Sequence, residues 1–170
     1  FVFLFYSTSV LAQAEKGLDS LEKKLQVLTG DTRIVNTLND LSYKWTDFDL
    51  KKALSYSYKA KTKATEIGYA KGEADAYCNM GIAQMYSGSY DSADVSFKKY
   101  LGLSQKINHT KSIISAYNFL GNLYRRQSKY AAATDYYVKG LKLAEKINDE
   151  YSIAGAYLSV GLVYSYQGKY

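Results

Sequence analysis

The sequence predicts an all-α solenoid of antiparallel helix pairs, and three observations carry that prediction. Residues recur at a step of forty: Ala76-Tyr77, Ala116-Tyr117 and Ala156-Tyr157; Gly81, Gly121 and Gly161; Tyr90, Tyr130 and Tyr170; Ile67, Ile107 and Ile147. A step of that size marks stacked supersecondary units, each covering its neighbour's apolar face. Tyr117, Leu120, Gly121 and Tyr124 stand at i, i+3, i+4 and i+7, which is one stripe on a helix. The 170 residues include no proline, so no helix interior loses a backbone donor.

Taken in chain order, residues 1–14 read as the later part of a secretory signal peptide. Phe1-Val2-Phe3-Leu4-Phe5-Tyr6 is the apolar run, and cleavage is expected after Ala12 or Ala14. An ordinary buried helix is the alternative. A membrane anchor is disfavoured, because about 12 apolar or small residues fall short of the roughly 20 a span needs. The start at Phe1, without a basic leader, and the stop at Gln167-Gly168-Lys169-Tyr170 inside a repeat suggest a fragment of a longer, exported protein.

Residues 15–30 are expected to form an N-terminal helix, with Leu18, Leu21, Leu25 and Leu28 at helical spacing. The array is expected over 31–170, in units of about 31–70, 71–110, 111–150 and an incomplete 151–170. In the first unit Leu38, Leu41, Ser42 and Trp45 precede Leu50, Ala53 and Ser57 across a turn one residue shorter than later ones. The second places Tyr77, Met80 and Gly81 before Tyr90, Ala93 and Phe97. In the third, helices over about 111–127 and 130–147 flank Gln127-Ser128-Lys129. The last holds Tyr157, Val160, Gly161 and Tyr164. Gly inside a helix costs about 1 kcal/mol relative to Ala. The in-phase glycines are therefore expected where neighbouring helices approach closely. Asp149, and Ser89 or Asp91, are expected helix caps, and Gly68 to Gly72 a helix stop.

Composition narrows function. At 47% hydrophobic and 15% aromatic, the chain can build a core without disulfides. Its single cysteine, Cys78, allows neither a disulfide framework nor a thiolate metal site. Net charge is +6, but the densest cluster, Lys51, Lys52, Lys59, Lys61 and Lys63, spreads along one helix and reads as a solvated convex face. His109 stands alone in a turn, Asp91 and Asp94 fall on helix faces expected to be exposed, and no metalloprotease, phosphate-loop or nucleophile-elbow motif is present. The expectation is no enzyme, no cofactor, no metal and no nucleic-acid partner within these residues. About half of the nineteen tyrosines fall on core stripes, where a ring fills space between helices; Tyr86 and Tyr166 fall off them.

The pattern resembles the tetratricopeptide repeat, whose signature runs Trp, Leu-Gly and Tyr on one helix, then Ala and Phe on the next. Tyr77, Tyr117 and Tyr157 take the Trp place. Met80-Gly81, Leu120-Gly121 and Val160-Gly161 take the Leu-Gly place. Gln84, Tyr124 and Tyr164 take the Tyr place, Ala93 and Ala133 the Ala place, and Phe97 and Tyr137 the Phe place. Gln105 and Glu145 stand where the family has Pro, and the step is forty instead of 34. The resemblance implies a right-handed superhelix whose first helices line a concave groove for a protein or peptide. Carried over by position, the groove residues are Asp75, Cys78, Ile82, Met85 and Tyr86; then Ser115, Asn118, Asn122, Arg125 and Arg126; then Gly155, Leu158, Leu162, Ser165 and Tyr166. Asn and Arg suit a peptide backbone or carboxylate, and Ile82, Met85, Leu158 and Leu162 are expected to supply apolar contact. The alternative is that part of this apolar lining is covered by further repeats downstream, the last helix, about 151–167, being left with an exposed apolar face. Gly155 and Ser159 replace the basic residues that a C-terminal carboxylate clamp requires, so that activity is not expected. The layout also resembles the N-terminal sensory region of Bacteroidetes-type signalling proteins, a histidine kinase or LuxR-type regulator. That resemblance implies a downstream transmembrane helix and an extracytoplasmic location. A freestanding periplasmic or secreted scaffold, or a repeat domain appended to an enzyme, are the alternatives.

Overall fold

The computed structural model describes residues 17–28 and 30–168. The expected signal segment over 1–14 lies outside them, as do Lys169 and Tyr170. Residues 17–27 are helical (α1). Then follow α2 (Asp31–Trp45), α3 (Leu50–Glu66), α4 (Ala70–Tyr86), α5 (Tyr90–Lys106), α6 (Thr110–Arg126), α7 (Tyr130–Lys146) and α8 (Glu150–Tyr166). Among the described residues there is no strand. The expected helix pair at 111–127 and 130–147 is found within a residue at each end.

The turns explain this regularity. Gly68, Gly88, Asn108, Ser128, Asn148 and Gly168 all have φ between 53° and 79°. A left-handed residue just past a helix end lets two later amides bond back to its last carbonyls. At the first of these turns Tyr69 N–H donates to Ala64 C=O at 2.8 Å and Gly68 N–H to Thr65 C=O at 3.3 Å. The same pair of bonds recurs at 88–89, 108–109, 128–129 and 148–149. Asp149 caps α8 as expected, accepting from Ser152 N–H at 3.2 Å. Ser89 occupies the N-cap position of α5 but makes no side-chain cap bond. Gly72 also departs from expectation. It is not part of a stop but lies buried in α4, where a Cβ would fall 2.5 Å from the Tyr69 ring and Val35. Only Gly68 ends a helix there.

The first connection is different. Four residues, Thr46 to Asp49, lie outside the helices, and Asp49 caps α3 by accepting from Lys51 and Lys52 N–H at 2.9 and 3.1 Å. The later connections hold three residues, so the turn expected to be shorter is the longer one; α2 ends earlier than its counterparts, and this leaves the interval between matched packing positions one residue shorter. Ser42 meets Ser57 (2.9 Å between hydroxyls) where later units pair Gly81 with Phe97 and Gly121 with Tyr137.

Helices α2, α4, α6 and α8 form one layer and α3, α5 and α7 the other. Consecutive helices pack, and α2 also touches α4, α4 touches α6 and α6 touches α8; the helices of the second layer do not approach one another. The first layer is therefore the tighter, concave side. Packing within each hairpin follows the glycine expectation. A Cβ on Gly81 would meet the Phe97 ring at 2.5 Å, and one on Gly121 the Tyr137 ring at 2.5 Å. Gly161 has nothing within 4 Å. Ala64, Ser104 and Ala144, an in-phase series the sequence reading passed over, are fully buried. Asn39 and Asn79 form a polar joint between α2 and α4: Asn79 Nδ2 donates to Asn39 C=O and Asn39 Nδ2 to Gly72 C=O, each at 3.0 Å.

Helix α1 closes the other end of the array. Leu18 is buried, and Glu22 Oε1 accepts from Tyr56 Oη at 2.7 Å and from Trp45 Nε1 at 3.3 Å. Burial and the Glu22 carboxylate push the Tyr56 hydroxyl up to about 12. The α3 lysines are exposed or half-buried. Three of them are engaged: Lys52 over Trp45, Lys59 over Tyr56 and Lys63 with Asp31 at 3.1 Å.

Candidate partner-binding groove

The expected groove residues lie on α4, α6 and α8, the helices of the concave layer, and they divide into three environments. On α4, Ile82 and Met85 are corrections to the sequence reading. They are 6% and 5% exposed and share a core with Phe97, Leu120 and Leu123. The reason is that α4 has a neighbour on every side, so side chains assigned to an open lining are consumed by the joint between α4 and α6. Cys78 packs into the same core and a second one with Tyr100 and Ala116. Burial pushes its thiol pKa up, which keeps it protonated and a poor nucleophile. Asp75 is half-buried and paired with Lys71 at 2.8 Å. Tyr86 remains open, 54% exposed.

The contribution from α6 is polar. Ser115 is half-buried, close to the Tyr100 hydroxyl. Asn118 turns inward, its Oδ1 buried without a partner and 3.1 Å from where a Cβ on Gly140 would stand. Asn122 Oδ1 accepts from Tyr137 Oη at 2.8 Å. Burial raises the Tyr137 pKa, opposed by Arg125 and Ser159 beside its hydroxyl. Arg125 is half-buried with an unpartnered, buried Nε. Its guanidinium lies 5.7 Å from the Tyr166 ring centre, and that of Arg126 lies 5.0 Å from Tyr86.

The contribution from α8 is apolar and open. Leu158 is 71% exposed and Leu162 50%. With Ala154, Tyr157, Gly161 and Ser165 they line a shallow depression of about 610 Å³. Gly155 has free space around its Cα.

The residues with catalytic potential are occupied structurally. His109 is the N-cap of α6, its Nδ1 accepting from Ser112 N–H at 3.3 Å and lying 2.8 Å from Ser112 Oγ. Asp94, expected on an exposed face with Asp91, is half-buried: it pairs with Lys98 at 2.6 Å and accepts from Tyr124 Oη at 2.9 Å. Among the described residues no group of His, Cys, Asp and Glu is placed to hold a metal ion. No helix among them is long and apolar enough to cross a membrane. The Asn39–Asn79 joint was absent from the sequence reading. Its forty-residue spacing was the available signal, obscured because Phe119 stands at the next step and stacks on Phe97 at 5.3 Å.

Comparison with known proteins agrees with this architecture. Residues 113–150 match the model of a tetratricopeptide repeat family. No curated protein matches the sequence. Several solved structures share the fold. BtubC from P. vanneervenii superposes with a TM-score of 0.79 at 16% identity, over 95% of this chain and 69% of that one. Aspartyl phosphate phosphatase F from Bacillus subtilis gives 0.82 at 16% identity, over 92% of this chain but only 45% of that protein. The nearly identical TPR-like repeats of a kinesin light chain candidate from Podosopora anserina give 0.73 at 11% identity, over 98% and 84%. Residues 113–150 are similar to a tetratricopeptide repeat, and the chain folds as a TPR-like solenoid.

Proposed function

We propose that this chain is a non-enzymatic module that binds a protein or peptide along the concave faces of α4, α6 and α8, and that it serves as the extracytoplasmic sensory part of a bacterial signal-transduction protein. The observation that carries the binding reading is the inner face itself. Polar Ser115, Asn122, Arg125 and Arg126 stand with the exposed rings of Tyr86 and Tyr166 on the layer that curves inward, and Leu158 and Leu162 are exposed on the flank of α8, at the positions through which α4 packs on α6. A surface with apolar contact and a few placed donors suits an extended polypeptide. TPR-like arrays are protein-binding scaffolds in general, which supports the coarse reading. The sensory role rests on the apolar start of the sequence and its resemblance to signalling proteins. Similarity to an aspartyl phosphate phosphatase is compatible with signalling and extends to the fold alone.

Two measurements test this. A photo-crosslinking residue at Ser115, Leu158 or Tyr86 should capture a partner in the producing cell, whereas one at Val95 on α5 should not. Equal capture from both faces, or from neither, refutes the groove. Fusing residues 1–30 to an alkaline phosphatase that is active only outside the cytoplasm tests export; an inactive, stable fusion removes the extracytoplasmic role.

A further inference from the structure

The geometry points to a subsite for acidic side chains of a peptide partner, formed by Tyr86, Arg125, Arg126 and Tyr166 at the C-terminal ends of α4, α6 and α8; it deepens the groove reading and rests on it. Positions 86, 126 and 166 are equivalent at the forty-residue step and carry Tyr, Arg and Tyr. Successive inner helices therefore end in a row in which Arg126 lies over Tyr86 and Arg125 over Tyr166. The ring faces attract the guanidinium groups through their quadrupoles without using N–H donors.

Among the described residues neither arginine has an anion: the ion pairs there are made by Lys63, Lys71 and Lys98, and no carboxylate of those residues lies within 4.0 Å of Arg125 or Arg126. Complementing the negative end of α6 accounts for their charge, but it leaves the Arg125 Nε buried and unpartnered. Asn122 adds a donor to the same cluster. Its Oδ1 is committed to Tyr137, so the amide Nδ2 is what it offers a ligand.

The occupant is a peptide because the charged row adjoins Leu162 and two tyrosines more than half exposed. A free inorganic anion would use only the arginines. Arginine forks match carboxylates bidentately, so acidic side chains are the chemistry that fits.

A library of random dodecapeptides, displayed on phage through their C-termini, presents side-chain carboxylates but no terminal ones. Selection on the whole 170-residue chain should enrich peptides containing Asp or Glu. Those peptides should bind R125Q/R126Q about tenfold more weakly or worse, while Lys99→Gln on α5 leaves binding unchanged. If the double variant loses its fold, the same loss must appear when the acidic residues of the peptide are changed to Asn or Gln and tested on the unaltered chain. Enriched peptides without acidic residues, or with equal affinity after either change, overturn the acidic subsite and leave the groove standing. No enrichment at all overturns both.

Discussion

Gly81 and Gly161 hold the same place in the repeat, yet one is pressed against Phe97 and the other faces open space. The helices around them differ to match. Ten residues of α4 are buried and two of α8, although both carry the same repeat pattern. The contrast separates what a sequence asks of a helix from what its neighbours provide. Helix α4 is enclosed by α2, α3, α5 and α6, so even its candidate groove residues Ile82 and Met85 become core. Among the described residues helix α8 packs on α6 and α7, and Leu158 and Leu162 are exposed there.

Substitutions at equivalent positions test that contrast most directly. The largest expected effect is at the ring that fills a glycine notch. Tyr137→Ala should cost about 3–5 kcal/mol, as for other fully buried aromatics. Tyr157→Ala, at a 59% exposed ring, should stay within about 0.5 kcal/mol. Chemical denaturation of both variants decides it, and equal costs would abolish the distinction between enclosed and open helices. Next in size, Gly121→Leu should destabilise by about 1–3 kcal/mol through overpacking against Tyr137. The same change at Gly161 should lack that penalty, and an unshifted thermal midpoint for folded Gly121→Leu would refute the close-approach account. The smallest effect has the opposite sign. Gly161→Ala should stabilise by about 1 kcal/mol or less, because helix propensity improves and nothing stands in the way of the methyl. A loss of stability there would mean that α8 is covered in solution.

Much of the fold was legible because it is periodic. Gly121, Tyr137 and Ala133 declare their roles by repeating in phase, and the pairing of glycine with aromatic follows from close helix approach. The site was less legible, for a physical reason. Ile82 on α4, Asn122 on α6 and Leu162 on α8 occupy the same repeat position, and one is core, one bonds Tyr137 and one is half exposed. Repeat position specifies a direction in space, whereas burial depends on what the adjoining unit places there. Asn118 shows this within one helix. It was assigned to the groove by spacing and instead rests its oxygen against Gly140, whose missing side chain leaves the room. The cation–ring row was hidden because Arg126 and Tyr86 are forty residues apart and unlike in chemistry, so no similarity search along the chain would pair them.

The left-handed turns recur every twenty residues from 68 to 168, and that metre has a genetic consequence. From α4 onward each helix is entered through the same backbone posture, so any cut made in phase there falls between interchangeable joints. Misaligned exchange between two copies of the gene could delete the codons for residues 91–130, or duplicate them, and join helix to helix at a point the fold already tolerates. Such an array can change its reach by whole units while each surviving unit keeps its own surface. Selection can then act on length separately from recognition.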